Sequence, residues 1–147
     1  MLRNIDPILS PDLLRILAAM GHGDEIVIAD ANFPGDSCGK RVVRLDGIDA
    51  VRVVRAVLSI MPLDSFAEDR AVSMAVVDDP AAMPPVVAMF QQVINEVADH
   101  PAPIRPIERF AFYDRSRAAY AVIQTGELRL YGNVILKKGV IFPPTSH

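Results

Sequence analysis

The sequence predicts an α/β fold in which a mixed sheet is flanked by helices, and we expect residues 1–147 to form one domain. Three observations carry this prediction. Helical patterns alternate with short apolar runs early in the chain, further apolar runs cluster near its end, and 147 residues is a usual length for one domain. A chain of this size can bury a core without the help of a metal or a disulfide.

The first predicted helix lies in SPDLLRILAAMG. Ser10 is a favourable N-cap, Pro11 suits the first turn, and apolar residues then recur at helical spacing. We expect Gly21 to end this helix in the left-handed conformation. The run EIVIAD has the apolar, β-branched character of a buried strand, and ANFPGDSCGK, with its proline and glycines, is predicted to be a loop.

The remaining elements are predicted in the same way, helices from apolar residues at helical spacing and strands from short apolar runs. DGIDAVRVVRAVLSIMP is predicted to be a helix capped by Asp46 or Asp49, RAVSMAVV a strand, and PPVVAMFQQVINEVADH a helix that begins at its prolines. We expect APIRPIERFAFYDR to be a proline-broken connector that runs into a strand, with a short helical turn near SRAA. YAVIQTG and NVILKKG are the last two predicted strands.

Composition and charge exclude several classes of protein. The net charge is −3 and no basic stripe is present, so we expect no nucleic-acid partner. No apolar run reaches the ~18 residues of a membrane span, and MLRNIDPILSPD lacks the apolar core of a signal peptide. The single cysteine, Cys38, fits a reducing compartment, so we expect a cytoplasmic protein with no membrane partner. Hydrophobic residues make up 51% of the chain, an excess that favours apolar surface buried between subunits.

The motifs of common cofactor-binding and hydrolytic sites are absent from the sequence. It contains no GxGxxG, GxxxxGK[ST], HExxH or GxSxG segment. The three histidines, His22, His100 and His147, are widely spaced, which gives no indication of a metal site. Cys38 is a conceivable nucleophile, although a lone loop cysteine with no histidine near it in sequence is more often without a chemical role.

Polar residues beside predicted turns are the remaining candidates for chemistry. His22 stands between two glycines, where a histidine has little structural use, and this side chain titrates near neutral pH. Asp30 follows the first strand, at the edge where open α/β sheets tend to bind ligands, and we expect Tyr113 at a similar strand end. The other candidates, each with an ordinary structural explanation as well, are Arg109, Tyr120, Tyr131 and Asn133.

Three segments in order resemble the RbsD/FucU family of fucose mutarotases and ribose pyranases. They are IDPILSPDLLRILAAMGHGDEIVIADANFP, RFAFYDR and TGELRLYGNVILKKGV, and the resemblance covers nearly the whole chain, most weakly from Val42 to Pro106. It is strongest toward the fucose mutarotase branch. The resemblance implies an α/β isomerase that interconverts the anomers of a free monosaccharide without metal or other cofactor. It also implies a homo-oligomer, typically a decamer of two stacked pentameric rings, with each site between neighbouring subunits.

The same resemblance implies roles for individual residues. His22 matches the catalytic histidine and Asp30 a substrate-binding aspartate, while Arg109 matches a basic binding residue that is arginine in the fucose branch and histidine in the ribose branch. Asn32 stands where the fucose branch often has a histidine, which leaves the exact sugar open. The sugar-contacting segment is Tyr131, Gly132 and Asn133, and the second-rank candidates are Tyr120, Asn32 and Tyr113.

These residue types suit the opening and reclosing of a hemiacetal. The anomeric hydroxyl must lose a proton and the ring oxygen must gain one, which is general acid–base chemistry for a group such as His22. Asp30, Arg109 and the Tyr131 segment would hold the sugar through hydrogen bonds and an aromatic ring, although Asp30 could also orient the imidazole.

L-Fucose is the expected substrate, and three alternatives stay open. The first is a D-ribose pyranase or a mutarotase of another sugar. The second is a non-catalytic sugar-binding accessory protein of a transport or catabolic system. The third is a structural oligomer that uses these turns only for assembly. Competition between sugars would identify the first alternative. Sugar binding without rate enhancement would indicate the second, and the absence of any sugar binding would indicate the third.

Overall fold

The computed structural model describes residues 1–145, so His147 lies outside the described residues. The longest described helix has 13 residues, and no helix in this range is long and apolar enough to cross a membrane. The elements in chain order are α1 (Pro11–Ala19), β1 (Glu25–Ala29), β2 (Val42–Leu45), α2 (Ala50–Leu58), β3 (Ala71–Met74), α3 (Pro85–Val97), β4 (Arg105–Ile107), α4 (Arg109–Ala118), β5 (Ala121–Thr125) and β6 (Val134–Lys137).

The six strands form one mixed sheet in the order β2-β5-β1-β6-β3-β4. Strand β6 is antiparallel to both of its neighbours, β1 and β3, whereas the other pairs are parallel. The register pairs Ile26 with Leu136 and Val27 with Ile135. The predicted α/β fold with a mixed sheet is therefore confirmed.

Helices cover both faces of this sheet. Alternate residues of β1 point to opposite sides, so Ile26 and Ile28 belong to a large core with α1, α2 and α3. Val27 belongs to a smaller core on the other face, which includes Phe112 of α4. Both cores are apolar, which explains why the central strands are continuous hydrophobic runs with no polar side.

The predicted helix caps are present in the structure. The Ser10 side chain accepts a hydrogen bond from the Leu13 N–H at 3.2 Å, and Asp49, rather than Asp46, accepts one from the Arg52 N–H at 3.0 Å. Gly21 does not adopt the left-handed conformation that we expected. Helix α1 ends instead with an extended residue, Met20, which lets the chain turn away from the helix without a positive φ.

The strand predicted at FAFYDR is wrong, because these residues lie in helix α4. Alternating aromatic residues such as Phe110 and Phe112 imitate a strand, but Glu108 caps a helix by accepting the Ala111 N–H at 3.0 Å. Phe112 and Ser116, four residues apart, then form the buried face of that helix. Tyr113 consequently lies on a helix and not at a strand end.

Two short strands of the sheet have no counterpart in the sequence prediction. Strand β2 has four residues and β4 has three, and both lie at an edge of the sheet. Strand β4 contains Pro106, which an edge strand tolerates because one side of it needs no ladder hydrogen bond. Such brief, partly exposed segments carry too little periodicity to be recognised from sequence.

Candidate functional site

His22 lies at the surface in the turn between α1 and β1. Gly23 has a φ of 87°, a conformation that favours glycine, and its N–H donates to the Lys138 carbonyl oxygen at 2.9 Å. The Gly21 N–H donates to the Asp24 carboxylate at 2.8 Å. These bonds fix the turn, while 49% of the His22 side chain remains exposed. The imidazole is therefore held by a defined backbone and is open to a ligand.

Asp64, which the sequence analysis missed, is the partner of His22. His22 Nε2 and Asp64 Oδ1 are 2.9 Å apart, and the Asp64 side chain is only 2% exposed. Its second oxygen, Oδ2, accepts the Ala67 N–H at 2.9 Å. Burial opposes ionisation of this carboxyl, but the hydrogen bonds from Ala67 and His22 prevail and lower the pKa of Asp64.

The ionised Asp64 fixes the tautomer of the imidazole. A carboxylate only accepts hydrogen bonds, so Nε2 of His22 carries the proton that it donates to Asp64. Nδ1 is then a free acceptor when the ring is neutral. Phe66, whose ring centroid is 5.5 Å from that of His22, is the third member of this group. We refer to His22, Asp64 and Phe66 as the His22 cluster.

Asp30 and Asn133 form a reciprocal pair at the carboxyl end of β1. The Asp30 N–H donates to Asn133 Oδ1 at 2.7 Å, and Asn133 Nδ2 donates to Asp30 Oδ2 at 3.0 Å. The Asn32 N–H donates to the other oxygen, Asp30 Oδ1, at 3.0 Å. Burial raises the pKa of Asp30, and these hydrogen bonds offset the effect only in part. The carboxyl is thus rigidly oriented beside a cavity.

That cavity combines polar groups with an apolar and aromatic wall. Its volume is about 210 Å³, which suits a small molecule. Hydrogen-bonding side chains beside aromatic rings are what a sugar requires, since a sugar presents hydroxyl groups and a C–H face. We refer to this cavity as the Asp30 pocket. Its lining residues are Asp30, Asn32, Phe33, Pro34, Met74, Tyr113, Leu130, Tyr131 and Asn133.

The turn that precedes β6 supplies Tyr131 and Asn133 to the Asp30 pocket. The residue of this turn in the left-handed conformation is Tyr131, with a φ of 63°, rather than Gly132 or Asn133. The Tyr131 hydroxyl accepts the Val77 N–H at 3.1 Å. Gly132 is needed for space, because a Cβ there would lie 2.7 Å from Cγ of Glu127. The absence of a side chain at Gly132 therefore lets the backbone pack against Glu127 of the same chain.

Besides His22 and Gly132, the predicted site residues Arg109 and Tyr120 do not line the Asp30 pocket. Arg109 lies one helical turn before Tyr113 and lines a neighbouring cavity with Asp78, and its guanidinium stacks on Phe110 at 4.7 Å. Tyr120 packs beneath the guanidinium of Arg41, at 4.1 Å from its ring centroid. Neither residue lines the Asp30 pocket in one subunit.

The His22 cluster and the Asp30 pocket lie at opposite ends of the central strands. His22 precedes β1 and Asp30 follows it, so the length of this five-residue strand, about 16 Å, separates them. Strand β6 runs the other way, with Asn133 before its start and Lys138, beside the His22 turn, after its end. One subunit therefore does not bring its own His22 to its own Asp30 pocket.

Residues 3–141 match the family described as "RbsD / FucU transport protein family". The chain belongs to the RbsD/FucU family.

Solved structures of RbsD/FucU proteins share the fold. The fucose mutarotase of Streptococcus pneumoniae, solved with L-fucose, is 42% identical, with a TM-score of 0.89 over 96% of this chain and 100% of that one. FucU of Bifidobacterium longum is 41% identical, with a TM-score of 0.89 over 95% and 100%. Bacillus subtilis RbsD, solved with D-ribose, is 27% identical, with a TM-score of 0.73 over 97% and 100%.

Proposed function

We propose that this protein is a mutarotase that interconverts the α and β anomers of a free monosaccharide, most favourably L-fucose. The observation that carries the proposal is the exposed imidazole of His22, hydrogen-bonded at 2.9 Å to a buried carboxylate. This arrangement leaves a basic nitrogen facing outward, as general acid–base catalysis requires. Membership of the RbsD/FucU family and its similarity to a protein solved as a fucose mutarotase support the same reaction.

The mechanism uses His22 as both base and acid. Nδ1 takes the proton of the anomeric hydroxyl as the bond between the anomeric carbon and the ring oxygen breaks. The imidazolium, stabilised by ionised Asp64, returns the proton to the ring oxygen, and the open sugar then carries an aldehyde. Rotation of the aldehyde and the reverse sequence close the ring on the opposite face. No bond to the protein forms, and no oxidation occurs.

The complete site combines two subunits. The Asp30 pocket of one subunit would hold the sugar, and the His22 cluster of a neighbour would supply the catalyst, which the strand length between them in one chain favours. Exposed apolar residues stand near both groups, Phe66 and Phe142 at the His22 cluster and Leu130 at the Asp30 pocket. Contact between two different surfaces closes a ring, which agrees with the proposed decamer of two pentamers.

The preference for L-fucose rests on the wall of the Asp30 pocket. Phe33, Met74 and Leu130 offer apolar surface to the methyl group of a 6-deoxy sugar, and Asp30 and Asn133 offer partners to its hydroxyl groups. The identity of 41–42% to the two fucose-branch proteins, against 27% to RbsD, supports the same choice. A cytoplasmic location remains part of the proposal, supported by the single buried cysteine, Cys38.

Exchange NMR on anomeric protons tests the reaction. We expect catalytic amounts of the protein to increase α/β exchange of L-fucose more than that of D-ribose or D-galactose. The His22→Ala variant is expected to fold and assemble but to lose about 10²–10⁴-fold in rate. His100→Ala, which removes a half-exposed histidine beside its neighbour Asp99, is the matched control and should retain activity.

The outcomes separate the alternatives. Faster exchange of D-ribose than of L-fucose would indicate the pyranase. Sugar binding without faster exchange would indicate an accessory binding protein, and no binding of any of the three sugars would favour a structural oligomer. Wild-type rates in His22→Ala would show that another group is the catalyst.

A further inference from the structure

The two members of the His22–Asp64 hydrogen bond come from separate segments of the chain. His22 lies in the turn before β1, and Asp64 lies in the connection between α2 and β3. Local bonds hold each segment to the end of β6, since the Gly23 N–H donates to Lys138 O and the Asp64 N–H donates to Lys137 O. The end of β6 thus joins the two segments through their backbones, and a link between side chains of the same segments would further fix the distance between His22 and Asp64.

Arg115 of helix α4 makes a second connection, between side chains of these segments. Its Nε donates to Glu25, three residues after His22, at 3.0 Å from each carboxylate oxygen. Its other nitrogens reach Asp69, five residues after Asp64, with NH1 3.0 Å from Oδ2 and NH2 2.7 Å from the carbonyl oxygen. One guanidinium thus holds the segments that carry both members of the pair.

The surroundings of Arg115 make this connection rigid. The side chains of Arg115 and Glu25 are only 19% and 15% exposed, so water screens them little. Lys137 Nζ lies 3.4 Å from Asp69 Oδ1, so the group of two carboxylates and two cations is neutral overall. The charges of Arg115 and Lys137 overcome the effect of burial and lower the pKa of Asp69. Only a planar fork of donors serves two carboxylates in this manner.

We propose that Arg115 is a positioning residue, which sets the His22–Asp64 geometry by tying Glu25 and Asp69 together. This inference rests on the proposed mutarotase function for its kinetic consequence. Arg115 is not among the residues that line the Asp30 pocket, so its loss should affect the proton transfer by His22 and leave sugar binding nearly unchanged. A side chain that served only the stability of the fold would impair both or neither.

The test uses two variants of the full chain and a matched control. Arg115→Lys keeps the charge but cannot hold both carboxylates. Asp69→Asn weakens only the second connection and, because this side chain is half exposed, is expected to fold. Arg117→Lys is the control, since Arg117 lies on the same helix and pairs at the surface with Asp114.

The readouts are the anomer exchange rate against sugar concentration and the imidazole nitrogen spectrum of His22. We expect Arg115→Lys to lower kcat about tenfold to a hundredfold, with KM changed less than about twofold, because small misplacements of a catalytic group are costly. Asp69→Asn should change kcat in the same direction to a smaller extent. In Arg115→Lys, His22 should become a mixture of tautomers, whereas Arg117→Lys should match the wild type.

The spectrum makes the inference independent of the reaction. A wild type without exchange activity would overturn the proposed function, yet the tautomer of His22 would still report on Arg115. An unchanged tautomer in both Arg115→Lys and Asp69→Asn, or a rise in KM with kcat unaltered, would overturn the inference. If Arg115→Lys does not fold, Asp69→Asn alone decides between these outcomes by the same measurements.

Discussion

A single hydrogen bond defines the chemistry available to His22. Because Asp64 is buried and its pKa is lowered, it is ionised at neutral pH and orients the imidazole with Nε2–H toward itself. The opposite nitrogen, Nδ1, is then left as the acceptor of the ring, and about half of the side chain is exposed and can meet a sugar. An isolated surface histidine would sample both tautomers and many orientations, so the buried aspartate converts an ordinary side chain into a directed base.

Asp64→Asn should reduce both activity and stability, with a defined pH dependence. Since the pKa of Asp64 is lowered on folding, its contribution to stability is present above the ordinary value of 3.8 and is lost as the pH falls through the lowered value. We expect the variant to unfold about 3 °C or more below the wild type at neutral pH, by calorimetry, and the difference to vanish in strong acid.

The same variant should lose about 10²-fold in anomer exchange at neutral pH, because an amide does not fix the tautomer or stabilise the imidazolium. Asp114→Asn is the control, as Asp114 is largely exposed and pairs only with Arg117. A difference in thermal midpoint that persists unchanged into strong acid would contradict the assigned charge state of Asp64.

The turn before β6 is the element that gives the Asp30 pocket its shape. Glu127 is buried, and its carboxylate accepts hydrogen bonds from Arg129 at the backbone N–H, at Nε and at a terminal nitrogen, the last at 2.7 Å. The hydrogen bonds from Arg129 lower the pKa of Glu127 in spite of burial. Gly132 packs against the same side chain, so Glu127 supports the strained backbone at Tyr131.

Glu127→Gln should weaken sugar binding more than catalysis. The amide cannot match the charge of Arg129, so the turn loosens and Tyr131 and Asn133 lose their fixed positions around the sugar. We expect KM to rise about tenfold, with kcat altered less than about twofold, because His22 belongs to a different element. Exchange NMR over a range of L-fucose concentrations separates the two constants.

Glu68→Gln is the matched control for that experiment. Glu68 is strongly exposed and lies 3.4 Å from Arg105, so its charge contributes little. If Glu68→Gln changed kcat and KM as much as Glu127→Gln does, a specific role for the turn would be contradicted.

At the scale of the whole molecule, the strand order separates the two halves of the site. The antiparallel β6 lies between β1 and β3. Asn133 precedes the start of β6 and Lys138 follows its end, so the two residues lie at opposite ends of the strands. A site that needs both His22 and Asp30 then requires two copies of the chain. We expect light scattering to report a multimer, and a clean monomer at micromolar concentration would contradict this.

Mixed oligomers provide a sharper test of the shared site. His22→Ala and Tyr131→Ala chains should each be nearly inactive, but co-expression should restore activity because some neighbouring pairs then carry one intact half each. Oligomers of the chain with both substitutions provide the control and should remain inactive. No gain above the sum of the separate variants would indicate that His22 and Tyr131 act within one subunit.

Particular residues show where prediction from sequence succeeds. The Ser10 cap, the apolar spacing of α1 to α3 and the central strands follow from the sequence, because each pattern involves neighbouring residues in the chain, whereas for α2 the sequence leaves Asp46 and Asp49 open as caps. The alternating aromatic residues of FAFYDR fit the two-residue repeat of a strand, but over so short a length they also fit the repeat of a helix. The Glu108 cap and the burial of Phe112 select the helix.

The α/β class, most of the elements and the candidates His22, Asp30, Tyr131 and Asn133 follow from the sequence alone, since turns and motifs are local. Which of these residues meet depends on the tertiary structure. Asp64 is 42 residues from His22, and Asp30 is 103 residues from its partner Asn133. Such contacts depend on the strand order and on the free energy of burying whole faces of the sheet, and no short stretch of the sequence determines either of these.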